Sequence, residues 1–190
     1  SDLKELRVID HSIEIAGPYC GKLFADAGAD VIKLETPRGD PLRTWSATGA
    51  DLGGRDGALF RYLNASKRSV IGVLAEAGRG ESETLIASAD LLIEDLPPLA
   101  YDRPALLERH PGLVVLSITP FGLTGPMADR PATDFTIQAE SGSIGVRGRP
   151  GSEPYQAGGR TAEWAAGCFA AVAALAAIRR AHATGHGEHI

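Results

Sequence analysis

One carboxylate stands where the chain passes from a glycine-rich stretch into its most apolar segment, Gly158-Gly-Arg-Thr-Ala-Glu163-Trp-Ala-Ala-Gly167-Cys-Phe-Ala-Ala-Val. The Ala-rich run that follows predicts a long helix from Thr161 to Ala183, broken at Gly185, so that Glu163 falls in its first turn. Gly167, four residues on, is a close-packing position on that helix. A glutamate there has two explanations. The positive end of the helix dipole stabilises a negative charge, and a carboxylate held in a cleft at the edge of a core can do chemistry.

Other chemistries leave no matching pattern. The chain carries no phosphate-binding Gly-x-x-x-x-Gly-Lys motif, and Gly142, Gly145 and Gly148 do not reproduce the dinucleotide fingerprint, whose glycines lie between a strand and a helix. No Gly-x-Ser-x-Gly elbow is present. Asp10-His11-Ser12 holds the residue types of a hydrolytic triad, but sequence neighbours do not form one. His182, His186 and His189 are separated by helix-breaking glycines and read as a solvated tail, so no metal site is expected.

The 190 residues are 44% hydrophobic and 23% charged, with net charge −5, a globular composition with no basic block. No nucleic acid is expected as a partner. The longest apolar run, Ala170 to Ile178, is too short to span a bilayer, so no membrane is expected either. Cys20 and Cys168, far apart in apolar helical contexts, read as buried free thiols of a reducing compartment, which points to the cytoplasm.

These residues need a scaffold, and the chain alternates its signals accordingly. Leu6 to Asp10 reads as a buried strand, Tyr19 to Ala27 as a helix closed by Gly28, and Asp30 to Glu35 as a second strand. A polar loop from Thr36 to about Asp56 is long enough to be functional or mobile. A helix over Ala58 to Asn64, a strand over Ser69 to Leu74 and a helix over Glu81 to Ser88 follow. Then come a strand at Asp90 to Glu94, a helix at Pro104 to Arg109 and the most β-rich strand, Leu113 to Thr119. Phe121 to Gly159 is irregular apart from a helix near Asp134 to Glu140, and the last residues, Gly187 to Ile190, read as the start of another strand. The expected fold is α/β: an open, doubly wound, mostly parallel sheet.

Four segments in order then carry a resemblance. They are Ala16-Gly-Pro-Tyr-Cys with Gly28-Ala-Asp-Val-Ile-Lys-Leu-Glu-Thr-Pro-Arg-Gly-Asp40; Asn64-Ala-Ser-Lys-Arg-Ser69; Asp90-Leu-Leu-Ile-Glu-Asp-Leu-Pro-Pro98 before Arg103; and Pro131-Ala-Thr-Asp-Phe135, followed by Gln138-Ala-Glu-Ser-Gly142 and Glu163-Trp-Ala-Ala-Gly167. Over essentially the whole chain this resembles the class III CoA-transferase family, which includes formyl-CoA and carnitine CoA-transferases and α-methylacyl-CoA racemases. The final Thr184-Gly-His-Gly resembles the turn after which family chains continue into a smaller domain. The resemblance therefore implies that residues 1–190 are an N-terminal CoA-binding α/β domain of a longer protein, one that forms an interlocked homodimer.

The resemblance implies an activity: coenzyme A moves between an acyl-CoA and a carboxylic acid acceptor, through attack by a carboxylate, a mixed anhydride and an enzyme-CoA thioester. Glu163 occupies the nucleophile's position, where the family normally has aspartate. Glutamate keeps the chemistry with one more methylene, so it is a working variant, an engineered change, or the sign of a half that binds CoA as a scaffold without reacting. Coenzyme A would lie beyond the carboxyl ends of the strands. Ile15 and Ala16 precede a helix and offer backbone N–H groups. Asn64, Ser66, Lys67 and Arg68 lie on a segment where Lys67 and Arg68 offer cations to the phosphates, Lys67 being otherwise an exposed strand flank. Asp95 and Leu96 would line the adenine and pantetheine path. Arg103 would contact the nucleotide or else be a surface residue at a helix start. Arg38 and Arg43 are weaker candidates, and Asp134 belongs to the aligned helix. Racemases of the family place a histidine before that aspartate; Thr133 stands there, which favours transfer over racemisation. Gly142 to Gly148 is a candidate mobile lid over the thioester.

Overall fold

The computed structural model describes residues 3–72, 74 and 81–190. Five parallel strands form one sheet: β1 (Arg7–His11), β2 (Asp30–Glu35), β3 (Arg68–Ile71), β4 (Leu91–Glu94) and β5 (Val114–Ser117), in the order β3-β2-β1-β4-β5. Between them run α1 (Ala16–Asp26), α2 (Ala58–Leu63), α3 (Glu81–Ala87) and α4 (Arg103–Arg109), and after them α5 (Asp134–Glu140) and α6 (Thr161–Thr184). The expected α/β sheet is therefore the fold.

Side-chain alternation along the strands makes two cores. Val8, Leu91, Ile93, Val114 and Leu116 pack with Phe24 of α1 and with Ala174, Ala177, Ile178 and Ala181 of α6. Ile9, Ile32, Leu34, Leu92 and Val115 face the other way, onto Ile86 of α3 and Leu106 of α4. Helices thus cover both faces, and central β4 is buried throughout, which is why it reads as a continuous apolar run. Each aliphatic side chain taken fully from water contributes roughly 1.5–3 kcal/mol.

Element boundaries differ from expectation where polar groups intervene. α1 begins at Ala16 because Pro18 is tolerated in a first turn, where its missing N–H is not needed. Gly17 is required there, since a Cβ would lie 2.1 Å from Ser12 Oγ. β3 is a short edge strand of exposed and half-exposed residues, and the remainder of its expected span includes residue 73, outside the described residues. The Thr36–Asp56 loop is anchored. Asp40 caps a single 3-10 turn, Pro41–Arg43, whose Leu42 is buried, and Arg43 pairs with Glu35 (2.7 Å) and Asp56 (2.8 Å) while lying 4.0 Å from the Phe60 ring centre.

α6 corrects two expectations. Its 24 residues are long and apolar enough to cross a membrane, unlike the nine-residue run read from the sequence, although one face is core against α1 and β5. Cys168 is exposed on its other face beside Phe169 and Val172, whereas Cys20 is buried and its thiol pKa raised by that burial. The tail is not simply solvated. Residues 188–190 hydrogen-bond alongside β5, with His189 opposite Val115, His189 Nε2 lies 2.8 Å from Ser117 Oγ, and His182 Nε2 lies 2.8 Å from Asp90 Oδ1.

Candidate active site

The strand order creates a switch point. From β1 the chain winds outward through β2 to β3, then returns across the sheet to β4 on the far side of β1. Connections therefore leave the carboxyl ends of β1 and β4 in opposite directions, and open sheets bind ligands in the crevice between them. A cleft of about 770 Å³ lies there, lined by Ile13, Glu14 and Ala16 after β1, Asp95 after β4, Ile118 and Thr119 after β5, Asp134 of α5, and Arg160 and Glu163 at the start of α6.

Glu163 reaches this cleft because α6 can approach α1 closely. A Cβ on Gly167 would lie 2.6 Å from the Ala16 carbonyl oxygen, so only glycine permits the crossing one turn beyond the carboxylate. Trp164, beside it, holds the helix from the other side. Its indole donates to the Gly159 carbonyl (2.9 Å) and its ring meets Tyr19 edge-on at 4.8 Å. Asp134 secures the helix start. Its Oδ1 accepts from Ala162 N (3.0 Å), and its Oδ2 accepts from Gln138 Nε2 (2.5 Å), which also donates to Ala157 O (3.0 Å). Thr133 caps α5 and bonds reciprocally with Thr136, which places Asp134 in that helix's first turn.

No sequence pattern marks the partner of Glu163. Arg160 grips both carboxylate oxygens, Nε to Oε1 at 2.6 Å and Nη2 to Oε2 at 2.9 Å, while its Nη1 reaches Glu14 Oε2 at 2.5 Å. Glu14 and Arg160 both hold left-handed backbone conformations, φ 61° and 57°, uncommon for residues with side chains and often found at functional sites. Burial raises the Glu163 pKa, against the opposing pull of Arg160. Asp95 is raised further, to about 7, by burial, although its Oδ2 accepts a 2.8 Å bond from Ile13 N that draws the strand ends together.

The expected contacts divide into two groups. Ala16, Asp95, Asp134 and Glu163 meet at the cleft. The others lie elsewhere or have their polar groups committed. Ile15 is buried with Leu42, Phe60 and Leu63, and Leu96 packs toward the α3–α4 core. Lys67 is not an exposed flank: its ammonium is buried on Asp10 (2.7 Å), the Pro18 carbonyl (2.7 Å) and Asn64 Oδ1 (3.0 Å). Arg68 stands at the amino end of β3, opposite the cleft, paired with Asp30. Ser66 is exposed in the preceding turn with φ 65°. Arg103 is buried rather than superficial. It neutralises Glu94 (2.9 Å) and donates to the carbonyls of Pro98 and Leu96, which folds the 95–102 loop back beside Asp95. Arg43 is spent on Glu35 and Asp56, Arg38 is exposed, and Gly142 to Gly148 contribute no lining residue.

A sequence model of CoA-transferase family III matches residues 3–190. The chain belongs to that family. It is 39% identical over 196 residues to the succinyl-CoA:(R)-benzylsuccinate CoA-transferase subunit BbsE of Thauera aromatica, covering 98% of this chain and 47% of the relative. It is 36% identical to the succinate–glutarate CoA-transferase of Agrobacterium fabrum, covering 99% and 50%. A CaiB/BaiF family protein from Brucella suis superimposes with a TM-score of 0.89 at 35% identity, covering 99% of this chain and 52% of that one. The chain thus spans about half the length of these relatives.

Proposed function

We propose that this family III chain is the CoA-handling α/β domain of an enzyme that transfers coenzyme A from an acyl-CoA to a carboxylic acid, with Glu163 as nucleophile. The observation that carries this reading is the position of Glu163: a carboxylate of raised pKa, at the rim of a cleft on the sheet's switch point, brought there by the Gly167 close approach. Named relatives act on succinate, glutarate and benzylsuccinate thioesters or acids, which supports carboxylic acids as both donor group and acceptor.

In the proposed reaction a Glu163 oxygen attacks the thioester carbonyl carbon, the C–S bond breaks, and CoA leaves as thiolate. The thiolate then attacks the glutamyl carbonyl of the mixed anhydride, releasing the donor acid and leaving CoA on Glu163 as a thioester. The acceptor carboxylate attacks that thioester and CoA departs again. Its thiolate attacks the acceptor acyl carbon of the new anhydride, giving the product acyl-CoA and free Glu163. Ala16 and Gly17, at the start of α1, line the same cleft, and their backbone N–H groups would serve as donors for the oxyanions. Family members that racemise need a second acid-base group, and among the described residues no histidine lines the cleft.

A specific observation favours a second reading. The fork of Arg160 occupies both oxygens of Glu163, as suits a half that binds CoA but leaves chemistry to another chain. Glu163→Gln in the complete protein separates the two. We expect kcat to fall at least a thousandfold with acyl-CoA binding retained, as when a nucleophile is removed. Unchanged transfer would establish the scaffold reading. The exposed Phe169, Val172 and Leu175 on α6 support the further proposal that the complete protein buries this face, as the expected interlocked homodimer would.

A further inference from the structure

Among the described residues the cleft is lined by four carboxylates, Glu14, Asp95, Asp134 and Glu163, and one cation, Arg160. An acid entering as its anion meets that guanidinium. Two of its three donor positions hold Glu163, and the third is anchored on Glu14. The side chain is 40% exposed and lines the cleft, within reach of a ligand that enters it. Planar guanidinium edges bind carboxylates through paired hydrogen bonds, and one carboxylate can replace another on the same edge without loss of geometry.

We propose that Arg160 recognises the second carboxylate of a dicarboxylic substrate, exchanging Glu163 for it while Nη1 stays on Glu14. This rests on the transfer reading above and gives it a substrate class: acids that carry one carboxylate for the thioester and another for Arg160. The exchange couples recognition to reactivity. With no substrate, the fork damps the nucleophilicity of Glu163; with a dicarboxylate bound, the substrate's own charge takes the fork and Glu163 is freed beside the thioester carbon. A donor without a second carboxylate leaves the latch closed; once Glu163 carries CoA the fork is vacant, and the second carboxylate of a dicarboxylic acceptor binds it. The left-handed backbone at both Glu14 and Arg160 fits a pair held in place for this contact, since such conformations persist only where surrounding structure enforces them.

The test compares glutarate with valerate, acids of equal chain length differing in one carboxylate, as CoA acceptors for the complete protein. Wild-type protein, Arg160→Gln and Arg160→Lys are assayed, each with KM and kcat separated. We expect Arg160→Gln to lower the glutarate-to-valerate ratio of kcat/KM by roughly ten- to a hundredfold, the value of a charge-assisted pair, mainly through KM. Arg160→Lys, with charge but no fork, should recover part of the ratio. Equal losses on both acids would show a structural role and overturn the proposal, as would an unchanged ratio. Should wild-type protein transfer CoA to neither acid, the transfer reading fails by itself, and calorimetric titration with glutarate and valerate decides this one: glutarate binding weakened at least tenfold in Arg160→Gln supports it, and equal binding of both acids by both proteins overturns it.

Discussion

At the level of single residues, the reactivity of Glu163 depends on how it is charged. Burial favours its neutral form and Arg160 favours its anion; burial prevails, and the pKa lies above the ordinary glutamate value. A nucleophilic carboxylate must be ionised, so transfer should rise with pH along an acid limb whose midpoint exceeds 4.5. Removing Arg160 takes away the interactions that favour the anion. The limb in Arg160→Gln should therefore move to higher pH, as a kcat/KM profile between pH 4 and 8 would show. An unmoved limb would mean that another group titrates. Asp95, at about 7, is the alternative carrier, and Asp95→Asn would then abolish the limb.

At the scale of the element, the start of α6 is held by neighbours instead of its own cap. Its N-cap residue, Arg160, forms no side-chain cap hydrogen bond. Asp134 supplies one from another helix, accepting from Ala162 N, and Gln138 ties Asp134 to Ala157. Losing a capping carboxylate costs about 1 kcal/mol of stability. Here the larger effect should be on position, because displacement of a nucleophile by about 1 Å can cost roughly a hundredfold in rate. Asp134→Ala should thus lower kcat by more than its small drop in thermal midpoint suggests, with acyl-CoA affinity nearly preserved. Parallel losses in affinity and rate would place Asp134 in the binding of CoA itself.

At the scale of the whole molecule, buried ions set the response to acid. Asp10 is fully buried between Lys67 and Lys33, and its pKa is lowered to about 2 from 3.8. Burial opposes ionisation and the two lysines outweigh it, so the ionised Asp10 contributes a net of about 2 kcal/mol of stability above pH 3.8, lost as pH falls through 2. His11 and Asp95 act between pH 4 and 7, with opposite signs. Burial lowers His11 from 6.5 to about 4, so folding loses stability as pH falls across that range because the unfolded chain binds the proton first. Burial raises Asp95 from 3.8 to about 7, so the folded chain binds the proton first and gains stability over nearly the same range. Each effect is roughly 3–4 kcal/mol at full extent, and the two offset. Wild-type stability from denaturant unfolding should be nearly level from pH 7 to 4. Asp95→Asn should lose stability steadily as pH falls, and His11→Gln should gain it. Similar slopes in both variants would disprove the compensation.

Legibility in the sequence follows the range of the interactions. The sheet was readable because strands and helices alternate with local punctuation, Gly28 after α1 and Gly185 after α6, both at positive φ. The placement of Glu163 was readable from a helix start and a glycine four residues on. The long-range pairs were not. Glu14 and Arg160 are 146 positions apart, Asp10 and Lys67 are 57 apart, and nothing local marks either as a pair. For the same reason Lys67, Arg68 and Arg103 read as free cations, since the acids that neutralise them come from other strands. Trapping the acyl-enzyme decides whether Glu163 is the nucleophile. The complete protein would be incubated with succinyl-CoA and glutaryl-CoA, quenched with hydroxylamine, and the peptide containing Glu163 examined by mass spectrometry. A hydroxamate on Glu163 is the expected result. An unmodified Glu163 in protein shown separately to bind CoA would contradict it.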